Sequence, residues 1–336
     1  MRRGLRDLVW TLGRSVSAEC PADADRAGAL LHLFLEAFEI LDDRGGLSDC
    51  RFHLGNAAYH CGDYQSAEAW YERSLATMND DDDRHGIART SYQLGLVAQT
   101  AGDFEKATRW YSRSIEVSTA LNDRTGVART SHQLGNIFFL RGAYDDAATC
   151  YEACLELCED RGDQAGVARS YYQLALVADA RGDADRAARL YEAGQSVTDM
   201  PGAGAETVRS LRDLGQLAAE VGNNATALTC FKRAMHLANS SGLRDAAAGA
   251  ASSVGALYTE MGEPEQGLVY TLKSTTLRLD GGRSPRRADA FILRRQRGAL
   301  GSGRFSKMVT SRLRGDHAAA IMALVADGAT VAARSA

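Results

Sequence analysis

Residues 84–121 read RHGIARTSYQLGLVAQTAGDFEKATRWYSRSIEVSTAL, and this stretch decides the fold. Over 84–101 and again over 104–121, apolar residues return at three- and four-residue intervals, the period of a helix with one buried face. Gly102-Asp103 separates the two runs, so two antiparallel helices follow. The unit recurs every forty residues: Leu54-Gly55, Leu94-Gly95, Leu134-Gly135 and Leu214-Gly215, with Leu174-Ala175 and Val254-Gly255 in the same register. A second ladder runs Gly62, Gly102, Gly142, Gly182, Gly222 and Gly262. Ala67, Ala107, Ala147, Ala187, Ala227 and Gly267 follow, then Tyr71, Tyr111, Tyr151, Tyr191 and Phe231. A register held over six copies marks a stack of like supersecondary units, each burying its apolar face against the next.

The corners have their own signals. Asp63, Asp103, Asp183 and Asn223 stand where a side-chain oxygen caps each second helix, and Gly46, Gly86, Gly126 and Gly166 are expected in the turn that ends the preceding unit. Pro21, Pro201 and Pro285 fall in expected connections, and Pro264 falls on the first turn of a second helix, where its missing N–H costs nothing. Ala67 and its equivalents belong where the two helices cross, while Tyr71 and its equivalents are expected to fill the gap toward the next unit. Before the repeats, residues 1–45 carry Leu5, Leu8, Trp10, Leu12-Gly13, Ala27, Leu31 and Phe34, which overlay one degenerate capping unit. The repeats occupy 46–280. Residues 281–336 read as a basic, irregular segment followed by an Ala-rich helix over about 316–326.

The order Leu-Gly, Gly-Asp-Tyr/Phe, Ala, Tyr resembles the tetratricopeptide repeat. The forty-residue period is similar to the longer variant found in G-protein-signalling modulators and in the sensor regions of bacterial signalling ATPases and antibiotic-pathway regulators. The resemblance covers about two thirds of the chain. It implies an all-α, right-handed superhelical solenoid of antiparallel helix pairs that holds a segment of a partner protein in the groove formed by the first helices.

At about 100° per residue, positions 89, 92, 96 and 99 share one arc of the first helix, and the resemblance places that arc on the groove. Copy by copy the first position reads Asp49, Arg89, Arg129, Arg169 and Arg209. The second reads Phe52, Tyr92, His132, Tyr172 and Arg212, and the third Asn56, Leu96, Asn136, Leu176 and Gln216. Each Arg lies near a helix N-terminus, where the macrodipole disfavours positive charge, so a compensating anion is expected. Two sources serve: the acidic turn before each helix (Asp82-Asp83, Asp123, Asp160 or Asp163), or the carboxylates of an acidic peptide held by bidentate contacts. Gln93, Gln133 and Gln173 form a further ladder, either solvated or bonding the backbone of an extended peptide.

The expected function is therefore a non-catalytic scaffold or adaptor that binds an extended, acidic peptide. The alternatives are a stand-alone regulatory sensor of a small molecule or peptide, and an enzyme using His132, Tyr92 and Tyr172. No cofactor is expected: no G-x-x-x-x-G-K-[ST] run occurs, and none of Lys106, Lys232, Lys273 and Lys307 follows a glycine-rich turn. No metal is expected either, since Cys50 and His53 are separated from His60 and Cys61 by about 15 Å along a helix. Cys150, Cys154 and Cys158 line one helix face and read as core.

The seven cysteines ignore the repeat, and no apolar run reaches membrane-spanning length, so a cytoplasmic protein with reduced thiols is expected. The total charge is −4, yet residues 283–314 carry nine Arg and one Lys against Asp289 alone. That segment, around Phe291-Ile292-Leu293, is expected to be disordered or docked on the acidic remainder; a short cationic amphipathic helix touching an acidic membrane surface, or nucleic acid through 286–314, is the lesser alternative.

Overall fold

The computed structural model describes residues 2–15, 21–78, 83–198 and 203–326, and among these it holds seventeen helices and no strand. Helices α1 (Arg2–Ser15) and α2 (Pro21–Ile40) precede the repeats. The first helices of the six copies are α3 (Arg44–His60), α5 (Arg84–Thr100), α7 (Arg124–Leu140), α9 (Gln164–Arg181), α11 (Ala203–Glu220) and α13 (Arg244–Glu260). Their second helices are α4 (Tyr64–Thr77), α6 (Phe104–Ala120), α8 (Tyr144–Arg161), α10 (Ala184–Thr198), α12 (Asn224–Ser240) and α14 (Pro264–Asp280). Three more follow: α15 (Arg287–Leu300), α16 (Ser302–Arg312) and α17 (Gly315–Ala326). The chain divides into two units, Met1–Arg161 and Gly162–Ala336, and in each the helix pairs pack in sequence order. Pro201 lies outside the described residues, and Pro21 opens α2 instead of standing in a connection.

Capping sets the period. Asp43, Asp83, Asp123 and Asp163 accept hydrogen bonds from the backbone N–H of Gly46, Gly86, Gly126 and Gly166 at 3.2, 2.8, 3.0 and 3.0 Å. These glycines are thus the third residue of each first helix and do not lie in the preceding turn; the folded-back carboxylate leaves no room for a side chain at Gly86 and Gly126, and the Phe38 ring leaves none at Gly46. A Cβ on Gly126 would also stand 2.7 Å from the Ser118 hydroxyl. Asp63, Asp103, Asp183 and Asn223 cap second helices as expected. Within copies the chain turns on glycine, as at Gly102 with φ 77°. Between copies the left-handed residue is Asp42 or Asn122, with φ of 47° and 54°, or one of Gly162, Gly242 and Gly282.

The ladders meet inside one unit. The Tyr71 ring lies against Gly55, where a Cβ would stand 2.5 Å from it; Tyr151 on Gly135 and Phe231 on Gly215 repeat the arrangement at 2.6 and 2.7 Å. Tyr71 also reaches Leu94 and Val97 of the next copy, so it fills both spaces and not only the outer one. Ala67, Ala107, Ala147 and Ala227 are fully buried at the crossings. Copy six differs: Thr271 and Gly267 replace the tyrosine and alanine, and Gln296 from α15 donates to Thr259 and Thr271, each at 2.9 Å.

Both ends are closed by packing. Val9 and Leu31 join Phe38, Cys50 and Leu54 in one cluster with Leu5, Leu12 and Phe34, so α1 and α2 cap α3. Leu8, however, is exposed, and the Ala27 side chain lies outside the described residues. The segment expected to be irregular is helical, because Leu293, Phe305 and Val309 are buried with Ala318, Ile321 and Val325 against Leu268 and Leu272 of α14. Its arginines lie on the acidic remainder: Arg283 pairs with Asp245, Arg304 with Glu265, and Arg295 with Glu260 at 3.8 Å. Arg294 and Arg297 bond the carbonyls of Leu324 and Val325 at 3.1 and 3.3 Å, near the end of α17. No helix among the described residues is long and apolar enough to cross a membrane.

Candidate functional site

In the first unit the expected arginine and aromatic columns interlock. The Arg89 guanidinium lies 4.3 Å from the centre of the Phe52 ring and 4.4 Å from that of Trp10, and 3.7 Å from the Asp49 carboxylate. Burial holds its pKa below the usual value, with Asp49 pulling the other way, and its Nε is buried without a hydrogen-bond partner among the described residues. Asp49 is pushed up by burial and drawn back by Trp10 and Arg89. Arg6, Trp10, Arg44, Asp49, Asp83 and Arg89 line a pocket of about 540 Å³. Arg129 is exposed and lies 4.5 Å over the Tyr92 ring, repeating the relation of Arg89 to Phe52. Arginine therefore stacks on the aromatic of the preceding copy, a contact worth about 0.5–1 kcal/mol at an exposed site.

The amide column faces inward. Asn56 and Asn136 accept the hydroxyls of Tyr71 and Tyr151 at 2.7 and 2.8 Å, and Asn136 donates to Gln133 at 3.2 Å. A buried phenol needs an acceptor, and the first-helix amide supplies it. His132 is buried, its ring 6.1 Å from that of Tyr151, while Gln93 is half-buried.

In the second unit Arg169 pairs with Glu206 at 2.6 Å. Tyr172 is buried and donates to Gln195 at 3.2 Å, and Gln173 is buried and donates to Ser210 at 3.4 Å. These two, with His132 and Asn136, are thereby packed into the scaffold and are not open contact groups. Arg209 and Gln216 are exposed; Arg212 is half-buried.

Asp83 acts on Arg89 through its charge, but among the described residues no loop acid pairs with a column arginine at salt-bridge distance. Asp83, Asp123 and Asp163 cap helices, Asp160 pairs with Arg124, and Asp82 lies outside the described residues. The acids that reach the arginines are Asp49 and Glu206, on neighbouring first helices. Sequence reading missed Trp10, Glu206, and Arg233, which lies 3.8 Å over the Tyr191 ring. Glu206 stands 37 residues after Arg169, the offset that also relates Phe52 to Arg89 and Tyr92 to Arg129, and that spacing was the available signal. Among the described residues no three His, Cys, Asp or Glu side chains are gathered to hold a metal ion. Cys154 and Cys158 are buried with sulfurs 3.9 Å apart.

Residues 48–200 match the family described as the MalT-like TPR region. Among solved structures, aspartyl phosphate phosphatase F from Bacillus subtilis is 15% identical, with a TM-score of 0.50 over 76% of this chain and 67% of that one. BtubC (BKLC) from P. vanneervenii is 21% identical over 66% of this chain and 90% of that one, with a TM-score of 0.49. A putative kinesin light chain of TPR-like repeats from Podosopora anserina is 15% identical over 58% of this chain and 94% of that one, with a TM-score of 0.47. No curated protein is significantly similar in sequence.

Proposed function

We propose that this tetratricopeptide-repeat protein, whose residues 48–200 match the MalT-like TPR region, is a scaffold that holds an extended acidic segment of another protein on the first-helix faces of its repeats. The observation that carries this reading is Arg129. It is exposed, fixed over the Tyr92 ring, and has no carboxylate at salt-bridge distance among the described residues. A guanidinium held by a ring keeps its N–H fork available for a carboxylate, and such charge-assisted bonds contribute about 1.5–3 kcal/mol each. Arg209 offers a second exposed guanidinium at the same position of copy five.

The test is fluorescence anisotropy with labelled extended peptides, each glutamate-bearing sequence paired with its glutamine counterpart. Glutamate peptides should bind more tightly, lose affinity with added salt, and lose it in the Arg129→Ala/Arg209→Ala variant while the melting temperature moves by only a few degrees. Equal binding by that variant would remove the arginine face from consideration.

The match to a MalT-like TPR region favours a second reading, a regulatory sensor that changes shape on binding its ligand. Small-angle scattering separates the two. A changed radius of gyration on saturation supports the sensor, and an unchanged one the scaffold.

A further inference from the structure

The sixth copy breaks the pattern of the first-helix face. Where copies two to four carry Arg, an aromatic ring, and Leu or Asn, copy six carries Gly249, Ser252 and Ala256. The wall recedes there, and a pocket of about 300 Å³ opens between α11, α13 and α15. Its size is at the lower end of the range for small-molecule sites.

The polar groups lining it are Arg212, Gln216, Ser252, Ser253, Glu260 and Arg286. Arg212 replaces the aromatic of copy five, and its guanidinium carbon lies 3.6 Å from where a Cβ on Gly249 would stand. Its Nε is buried with no hydrogen-bond partner among the described residues. Glu260, the acid in the lining, faces Arg295 at 3.8 Å. The hydroxyl hydrogens are directed away: Ser252 donates to the buried Asp289 at 2.6 Å, and Ser253 donates to the Gly249 carbonyl at 3.2 Å. The two serine oxygens therefore present lone pairs to the pocket. Gln216 donates to Glu220 at 2.9 Å, so a ligand that satisfies the remaining groups has a carboxylate for Arg212 and Arg286 and an N–H donor for the serines.

We infer that this pocket binds an acidic amino-acid unit, its carboxylate on Arg212 and Arg286 and its N–H groups on Ser252 and Ser253. The inference rests on the scaffold reading, because it assigns to one point of the same face the acidic residue it selects. The unit is either a free amino acid or a residue of a peptide, since both present the same chemistry.

Isothermal titration of the full chain with L-glutamate, with acetyl-Gly-Glu-Gly-amide and with the glutamine form of that peptide tests it. L-glutamate or the glutamate peptide should bind saturably and the glutamine peptide should not. Binding by L-glutamate identifies a free amino acid, and binding by the peptide alone identifies a peptide residue. Arg212→Gln should weaken binding roughly ten- to a hundredfold. Ala256→Phe, which fills the pocket from the opposite wall, should abolish it, and Arg124→Ala, outside the pocket lining, should leave it unchanged. Thermal melting confirms that each variant is folded. No saturable heat from either glutamate ligand, or wild-type affinity in folded Arg212→Gln, overturns the pocket. Extended glutamate peptides that still require Arg129 in that case leave the scaffold reading standing; pocket binding without any dependence on Arg129 and Arg209 for extended peptides does the reverse.

Discussion

In copies one to three the tyrosine of the second helix is held by two residues of its own first helix, a glycine beneath the ring and an acceptor at the hydroxyl. Tyr111 is fully buried and donates to Gln99 at 2.8 Å. Tyr111→Ala should cost about 3–5 kcal/mol, the range for deleting a large buried ring. Tyr111→Phe should cost only about 1–2 kcal/mol, for the acceptor left behind. Hydrogen exchange of α5 and α6 measures both locally, and equal losses in the two variants would show that the ring does not pack as described. Burial also governs the thiols, raising Cys50 and Cys230 to about 12 and Cys150 to about 11 from an ordinary 9.0. A thiol whose folded pKa is raised contributes its full stability below the unfolded value, and that contribution is lost as pH rises through the folded value. The melting temperature should therefore fall from about pH 9 upward, and Cys50→Ala/Cys230→Ala should flatten the fall; an unchanged slope in that variant would mean the thiols ionise freely in the folded chain. At this scale sequence was a partial guide. Arg129 and Arg209 stand exposed on the expected arc, but Asn56 and Asn136 bond tyrosines of their own units, because forty-residue periodicity shows which residues align and not which neighbour a side chain satisfies.

Helices were legible wherever the period held. The limits expected for copy two, 84–101 and 104–121, fall within one residue of α5 and α6, because glycine turns and aspartate caps fix both ends. Of the helices after α14, the Ala-rich one expected over about 316–326 was legible and is α17; α15 and α16 were not, since Leu293, Phe305 and Val309 follow no repeat and gain their burial from α14 and α17. Caps also mark where a helix start can be improved. The second helix of copy three begins after Ala143, whose backbone geometry matches the capped copies: its carbonyl accepts from Ala147 at 3.0 Å, as the Asn223 carbonyl accepts from Ala227 at 3.0 Å. Alanine has no oxygen for the free N–H groups of the first turn. Asn223 does, accepting from Thr226 at 3.2 Å. Ala143→Asn should therefore stabilise α8 by about 1 kcal/mol, and asparagine is preferred to aspartate because Asp145 and Asp146 already occupy the first turn. Slower amide exchange over 144–150 is the expected result; faster exchange would show that the cap geometry is not met.

Over the whole chain, charge and apolar burial compete to explain how the last three helices are held. Residues 283–314 carry a net charge of +9 in a chain whose total is −4, which suggests electrostatic docking. The pairs made by the segment's arginines are solvent-exposed: Arg283 and Asp245 are 65% and 46% accessible, and Arg304 and Glu265 are 65% and 45% accessible, whereas the buried pair to α14 is made by the segment's acid, Asp289, with Arg278 at 3.3 Å. Exposed pairs contribute about 0–1 kcal/mol each and are screened within about 3 Å at 1 M salt. Phe305, Val309 and Ile321 are fully buried against Leu268, and removing a single such phenylalanine costs about 3–5 kcal/mol. Packing wins by this comparison, and the arginines select where the segment lands more than how firmly it stays. Hydrogen exchange over α14 and α15 should accordingly be almost unchanged between about 0.1 M and about 1 M salt. Phe305→Ala should accelerate it at low salt, even with every ion pair in place. Loss of protection in high salt with little effect of Phe305→Ala would reverse the ranking and make the basic segment an electrostatic latch.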